Sequence, residues 1–262
     1  MVTISIDRPA EWDVCEVHCF ADIHLGDKHS DGKLLIERIK RAENTENCVV
    51  ILNGDLCNVA TRTSVSDVFE GVKPMEQMQT VVNLFGKLAE QGKIIAITDG
   101  NHERRVYKND GIDLSEVIAT QLGIHDRYSP GAALIFLRFG ARSSAMGQHR
   151  RKMMYTIFVN HGSGGGSKVG GKANRLVGMS EIVDADCFIH AHTHEPIIVK
   201  RSFFRTSPAN SSVQQVDRLF VNLASYMTQY GGYAEQGEFA PSSSETPIIY
   251  LDGHNRNMWA RL

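Results

Sequence analysis

The sequence predicts an α/β fold with a sheet core in two layers and helices packed against it. Three observations carry this reading. Short apolar runs of strand length recur along the chain, segments with three-and-four apolar spacing fall between the early runs, and strand-like runs crowd the second half.

The runs are Val14 to Ala21, Cys48 to Leu52, Lys93 to Thr98, Ala132 to Phe139, Met154 to Val159, Ala185 to Ile189, Leu219 to Leu223 and Pro247 to Leu251, several of them rich in Val, Ile and Phe as buried strands are. Leu34, Leu35, Arg38 and Ile39 open a first helix, with Ser30 or Asp31 as its cap. Met75, Met78, Val82, Phe85 and Leu88 mark a second, stopped by Gly92, and Leu114, Val117, Ile118 and Leu122 a third, ended by Gly123. These stripes read as core faces. After Gly131 the helices thin out, and a hairpin is expected from Leu134 to Val159 around Gly140 to Gly147. Ser242 to Pro247 and Tyr230 to Tyr233 are loops by composition. With no internal repeat and no linker, residues 1–262 read as one domain.

Composition narrows the function. Apolar residues make up 42% of the 262 and charged residues 22%, which excludes wholesale disorder. The formal charge of −2 argues against a protein coated in basic residues for nucleic acid. No apolar stretch approaches the roughly 18 residues that cross a bilayer. The start shows no basic leader before an apolar segment, so a cytoplasmic location is expected. The cysteines (Cys15, Cys19, Cys48, Cys57, Cys187) are odd in number, lack a C-x-x-C pair and read as reduced thiols.

The residues that follow the runs carry the chemistry. Asp22-Ile23-His24, Gly54-Asp55-Leu56-Cys57-Asn58, Gly100-Asn101-His102-Glu103, His161-Gly162 and His192-Thr193-His194 each stand at a strand exit. In α/β sheets ligands collect at the carboxyl ends of strands, so these side chains can converge on one crevice. Residues two apart near a strand end point to one side, which would let Asp22 and His24, or His192 and His194, clamp a cation. Imidazole, carboxylate and amide oxygen suit Mn, Fe, Zn or Co. Seven such residues exceed the needs of one ion and suit two, which acidify water and neutralise phosphate oxygens. A single strand-terminal Asp or lone His is ordinarily a turn residue or a core residue, and His18, His29, His125, His149, His190 and His254 get that reading.

At this point the chain resembles the calcineurin-like metallophosphoesterase superfamily, whose signature reads D-x-H, G-D-x-x-[DN], G-N-H-[DE], H and G-H-x-H. Asp22/His24, Gly54-Asp55…Asn58, Gly100 to Glu103, His161 and Ala191-His192-Thr193-His194 match it, over residues 14 to 200. The resemblance implies a four-layer αββα sandwich of two mixed sheets flanked by helices. It also implies two divalent transition-metal ions, Mn first, with Fe, Zn and Co as alternatives. Asp22, His24 and His194 would hold the first, Asp55 would bridge, and Asn101, His161 and His192 would complete the second. His102 would stay off the metals and assist at the phosphate or the leaving oxygen. Three departures stand out. Ala191 replaces the Gly of the last motif. Asn58 is not followed by the Asp-Arg-Gly of the Ser/Thr protein phosphatases, which leaves the partner that orients His102 open. The His found there in one class of superfamily nucleases is absent as well.

For the substrate, the stretch after His161 is dense in glycine and carries Lys168, Lys172 and Arg175; it reads either as an anion cradle or as a flexible loop with solvated lysines. Nothing matches a Walker nucleotide loop. Asn58, Arg104 and Arg105 are further candidates, with one arginine reaching a phosphate and the other facing solvent. Arg138, Arg142, Arg150, Arg151 and Lys152 form a basic cluster with no acid inside it, read as a solvated hairpin tip over a nucleic-acid track. The expected activity is metal-dependent hydrolysis of phosphate esters, diesters ahead of monoesters, with nucleotides and nucleic acids among the candidate partners. The alternatives are a phosphomonoesterase, a metal-dependent nuclease and a non-enzymatic scaffold; oligomeric state is not legible.

Overall fold

The computed structural model describes residues 1–60, 72–141, 151–164, 166, 168–228, 235 and 240–262. Two mixed six-stranded sheets face each other. One runs β12(Met258–Arg261), β11(Ile248–Asp252), β2(Val14–Phe20), β3(Cys48–Asn53), β4(Ile94–Thr98), β5(Tyr128–Ser129). The other runs β1(Val2–Asp7), β6(Ala133–Phe139), β7(Met153–Asn160), β8(Cys187–His190), β10(Ser212–Asn222), β9(Ile197–Ser207).

Three apolar clusters set the layers. Val17, Val49, Ile51, Ile135, Ile157, Ile189 and Val221 meet between the sheets. On the outer face of the first sheet, Phe20, Val50 and Leu52 pack beneath α1(Gly32–Asn44), α2(Pro74–Glu90) and α4(Leu114–Gln121). On the outer face of the second, Phe158, Phe188 and Phe220 meet Leu176 of α5(Val169–Gly178). The order is helix, sheet, sheet, helix, the expected αββα arrangement. All six residues of β3 are buried because both its faces are covered, which is why it reads as an unbroken apolar run and not an alternating one.

The expected helices form at their expected places. Asp31 caps α1, its carboxylate accepting from the Lys33 and Leu34 amides. Gly92 and Gly123 follow α2 and α4 at φ +68° and +70°, where a side chain would be strained. Met78, Phe85 and Leu88 of α2 face the core, whereas Met75 lies exposed in the first turn. Residues Leu134 to Val159 form the expected antiparallel pair β6–β7; its tip, including Arg142, His149 and Arg150, lies outside the described residues, as does Tyr230 to Tyr233. The five cysteines are buried and free.

The structure adds elements the sequence did not announce. β9 and β10 form an eleven-residue antiparallel ribbon at the sheet edge. The expected run at Leu219 to Leu223 is the buried end of β10; β9 and the first half of β10 are exposed or half-buried, so no apolar run announces them. α3(Asn101–Asp110) starts directly on the Gly100-Asn101-His102 motif. α5 occupies ground expected to be a glycine-rich loop.

Candidate metal centre

β2, β3 and β4 are adjacent and parallel in one sheet, and β7 and β8 are adjacent and parallel in the other. Their carboxyl ends therefore open at one edge of the sandwich. Asp22 lies just beyond β2, Asp55 beyond β3, Asn101 beyond β4, His161 beyond β7 and His192 beyond β8.

The side chains converge by a route that alternation along a strand does not explain. β2 ends at Phe20, and Asp22 and His24 are not extended: both have φ +50°. Asp55, His192 and His194 share this left-handed conformation, at φ +49°, +65° and +54°. It costs a non-glycine residue about 1–2 kcal/mol, and such residues gather where a site demands a side-chain direction that relaxed backbone does not supply. Two glycines make room for the turns. A Cβ on Gly100 would stand 2.1 Å from the Asp55 nitrogen, and one on Gly54 would stand 2.7 Å from Gly100 Cα and from His161 Nδ1.

Three groups of side chains bring one donor atom each within 4.8 Å of one another: Asp22 with His24 and His194; Asp55 with His161 and His192; and Asp55 with His24 and His102. His194 Nε2 is 3.2 Å from Asp22 Oδ1, and His161 Nε2 is 3.1 Å from Asp55 Oδ2. His24 and His194 face each other Nε2 to Nε2 at 3.4 Å. Ligands about 2.1 Å from one cation at right angles stand about 3 Å apart, so this spacing fits a metal. Asp22 Oδ1, Asn101 Oδ1 and His161 Nε2 are buried without a hydrogen-bond partner. Such atoms are costly unless something takes up their lone pairs, and a cation does that for all three.

Electrostatics point the same way. Burial pushes the Asp22 carboxyl up, but the His194 and His161 imidazoles outweigh it and hold the group at about 2. Burial likewise opposes ionisation of Asp55, and His161 and His102 bring it well below its ordinary value. His161 is lowered by burial but raised more strongly by Asp55 and Asp22, to about 10; His194 is raised by Asp22 against its burial. Burial lowers His24, helped by the His102 charge, and lowers His192, helped by His161. Two buried carboxylates thus hold positive charge between them, which protons or metal ions can supply.

The supporting contacts are backbone-mediated and were invisible in the motifs. The Asn53 carbonyl accepts from His161 Nδ1 at 2.7 Å, turning Nε2 towards Asp55. Glu103 accepts from the Asp55 and Cys57 amides, at 3.0 and 2.8 Å, and clamps the loop that presents Asp55; burial and Asp55 push its carboxyl up to about 8. The orienting partner of His102, left open by the missing Asp-Arg-Gly sequence, is the backbone carbonyl of Asn58, which accepts from Nδ1 at 2.7 Å. His102 Nε2 is then 3.9 Å from Asp55 Oδ2, and burial keeps the imidazole below its ordinary value. His190, read as a core histidine, is buried against Gly162 and bonded to Asn222.

The expected substrate contacts fare unevenly. Asn58 reaches Asp27 with its side-chain amide, 3.4 Å away. Arg105 lies beside His102, Nη2 to Nε2 3.1 Å, while Arg104 turns to the Pro130 carbonyl and to Asp99. Lys168 precedes α5, Lys172 is paired with Glu195 at 3.2 Å, and Arg175 lies over Gly164. Within the stretch after His161, Val169–Gly178 is therefore a helix, with its lysine already paired. The hairpin cluster is also not free of acids: Asp7 of β1 pairs with Arg138 and Lys152, because the neighbouring strand brings it there.

The chain is similar to several solved structures, one of them a metallophosphoesterase. That metallophosphoesterase, from Sphaerobacter thermophilus, is 12% identical over 90% of this chain and 83% of that one, with a TM-score of 0.38. Nuclease MPE of Pseudomonas putida is 12% identical over 94% and 87%, TM-score 0.36. Vps29 of Entamoeba histolytica, solved with Zn, is 12% identical over 94% and 97%, TM-score 0.37. No family model matches the chain, and no curated protein does. Among the described residues no helix is long and apolar enough to cross a membrane.

Proposed function

We propose that this protein is a two-metal-dependent hydrolase of phosphate esters, with diesters as the preferred class, and a calcineurin-like metallophosphoesterase. The observation that carries the reading is the convergence of six ligand-type side chains, Asp22, His24, Asp55, His161, His192 and His194, from four strand exits, together with the buried and unpartnered Asp22 Oδ1, Asn101 Oδ1 and His161 Nε2 atoms. Asp22, His24 and His194 hold one divalent cation; Asn101, His161 and His192 hold the other. Asp55, which groups with His161 and His192 on one side and with His24 and His102 on the other, would be shared. When bound, the cations supply Lewis acidity to the ester oxygens and a more acidic water.

The chain's own residues do the rest. Glu103 and Asn53 fix the directions of Asp55 and His161. The Nδ1 proton of His102 is spent on Asn58, so Nε2 is the nitrogen that meets the ester. In the neutral ring Nε2 carries no proton, so it would first take one up, forming the imidazolium, and then give that proton to the leaving oxygen. Arg105 beside it adds one positive charge. Arg104 and Lys172 are committed to Asp99 and Glu195.

Mn-loaded protein is expected to cleave bis-p-nitrophenyl phosphate faster than p-nitrophenyl phosphate, and to bind two metal ions per chain. Asp55→Asn is expected to remove metal and turnover together, and His102→Ala to remove turnover while keeping metal. Faster monoester cleavage moves the assignment to a phosphatase. Activity confined to DNA or RNA moves it to a nuclease, and near-zero transition metal after growth in Mn-supplemented medium moves it to a scaffold.

A further inference from the structure

A second cavity, of about 320 Å³, lies on the outer side of the first sheet, between α1 and the β2–β11 pair. None of the seven metal-ligand candidates lines it. Its size is at the lower end of small-molecule pockets. Phe20 and Tyr226, rings stacked at 6.4 Å and 7°, line it together, and Tyr250 lines it too.

Its polar groups are unfinished. Tyr226 is 1% exposed, yet its hydroxyl has no hydrogen-bond partner. The Arg38 guanidinium stands beside it, close enough to act on the phenol oxygen by its charge and by hydrogen bonding, while burial pushes that phenol up to about 12. Thr246 Oγ1 and Arg38 Nη1 are also buried and unpartnered. The Arg38 guanidinium is held in place from two sides: Nη2 donates to the Ser244 carbonyl at 2.8 Å, and the group stands 5.4 Å over the Tyr226 ring. Arg41 and Arg261 line the same cavity, and among the described residues none of the three guanidiniums forms an ion pair. Glu37 and Glu245 line it as well, but neither reaches them. Two hydroxyls and one guanidinium N–H are all able to donate, and an oxyanion, which only accepts, satisfies them together. Phe20 and Tyr226 provide apolar surface for the rest of the molecule.

We propose that this cavity is a second ligand site, taking a small organic anion whose oxyanion meets Arg38, Tyr226 and Thr246 and whose flat apolar body lies against the aromatic wall. The cavity shares no lining side chain with the proposed metal ligands, although the Tyr226 amide donates to the Asp22 carbonyl at 3.1 Å.

The test is ¹⁹F NMR titration of the full chain in EDTA with 4-fluorobenzoate. Saturable binding is expected, weakened about tenfold or more by Arg38→Gln and by Thr246→Val. Asp55→Asn, which removes no side chain that lines this cavity, is expected to leave it unchanged, and neutral 4-fluorobenzamide is expected not to compete. Thr246→Val swaps a hydroxyl for a methyl at similar size, so its effect does not depend on whether Arg38→Gln folds. No saturation by about 10 mM overturns the site, since that corresponds to under 3 kcal/mol of binding. Undiminished binding in Thr246→Val, loss in Asp55→Asn, or equal binding of the amide overturns its location or its anion preference.

Discussion

Gly100→Ala tests whether the metal-ligand loops are held by close backbone approach. Gly100 has φ −107° and ψ 175°, an extended conformation that alanine adopts without strain, so the whole effect is steric. The added Cβ would stand 2.1 Å from the Asp55 nitrogen and 2.2 Å from Asp55 Oδ1. Ordinary contact begins at 3.4 Å, so the Asp55 backbone must retreat by about 3.4 − 2.1 = 1.3 Å. Overpacking of this kind costs about 1–3 kcal/mol, and stretching the Glu103 bond to the Asp55 amide adds about 1 kcal/mol. A total loss of about 2–4 kcal/mol is expected by urea denaturation in EDTA. Because Asp55 moves, Mn affinity by calorimetry is expected to fall about 10–100-fold, as it does when supporting contacts of ligands are lost. Gly86→Ala is the control: Gly86 is inside α2, a Cβ added there would meet nothing within 4 Å, and the variant is expected to gain about 0.5–1 kcal/mol. If Gly100→Ala stays within about 0.5 kcal/mol of wild type and keeps its Mn affinity, the cradle reasoning is wrong.

Three further outcomes follow from the same geometry. Mn at about 100 times its Kd is expected to stabilise the fold by about 2.7 kcal/mol, read as a rise in Tm that Asp55→Asn abolishes; a variant that keeps the rise would remove Asp55 from the ligand set. Lys172→Met is expected to leave turnover unchanged and to cost at most about 1 kcal/mol, since Lys172 is paired with Glu195; a rise in KM would restore it as a substrate contact. His254 donates to Asp13 at 2.6 Å and its imidazole is raised above the ordinary histidine value by that bond. Its contribution is therefore present below the unfolded pKa of about 6.5 and lost as pH rises through the folded value. Asp13→Asn is expected to bring the NMR titration midpoint of His254 down towards 6.5, and an unmoved midpoint would refute the pairing.

The proposed ligand residues were legible because metal chemistry restricts residue type, and type is written in sequence. Asp22, His24, Asp55, Asn101, His161, His192 and His194 all stand where short apolar runs end, and such runs survive as signals because strands covered on both faces must be apolar throughout. His102 was legible only through the Gly100-Asn101-His102-Glu103 motif that it shares with the resembled family.

What the sequence could not hold is anything decided by backbone groups or by distant neighbours. The Asn58 carbonyl that orients His102, the Asn53 carbonyl that orients His161 and the left-handed turns at five ligands carry no residue-type signature. Charge pairing was equally hidden: Asp7 meets Arg138 and Lys152 across 131 and 145 positions of chain, and Glu195 meets Lys172, so clusters that look uncompensated in a linear reading are partly neutralised in space. The chain by itself determined which atoms can bind metal; only the folded sheets decided where those atoms point, because direction depends on backbone conformation and on partners that sequence order does not bring together.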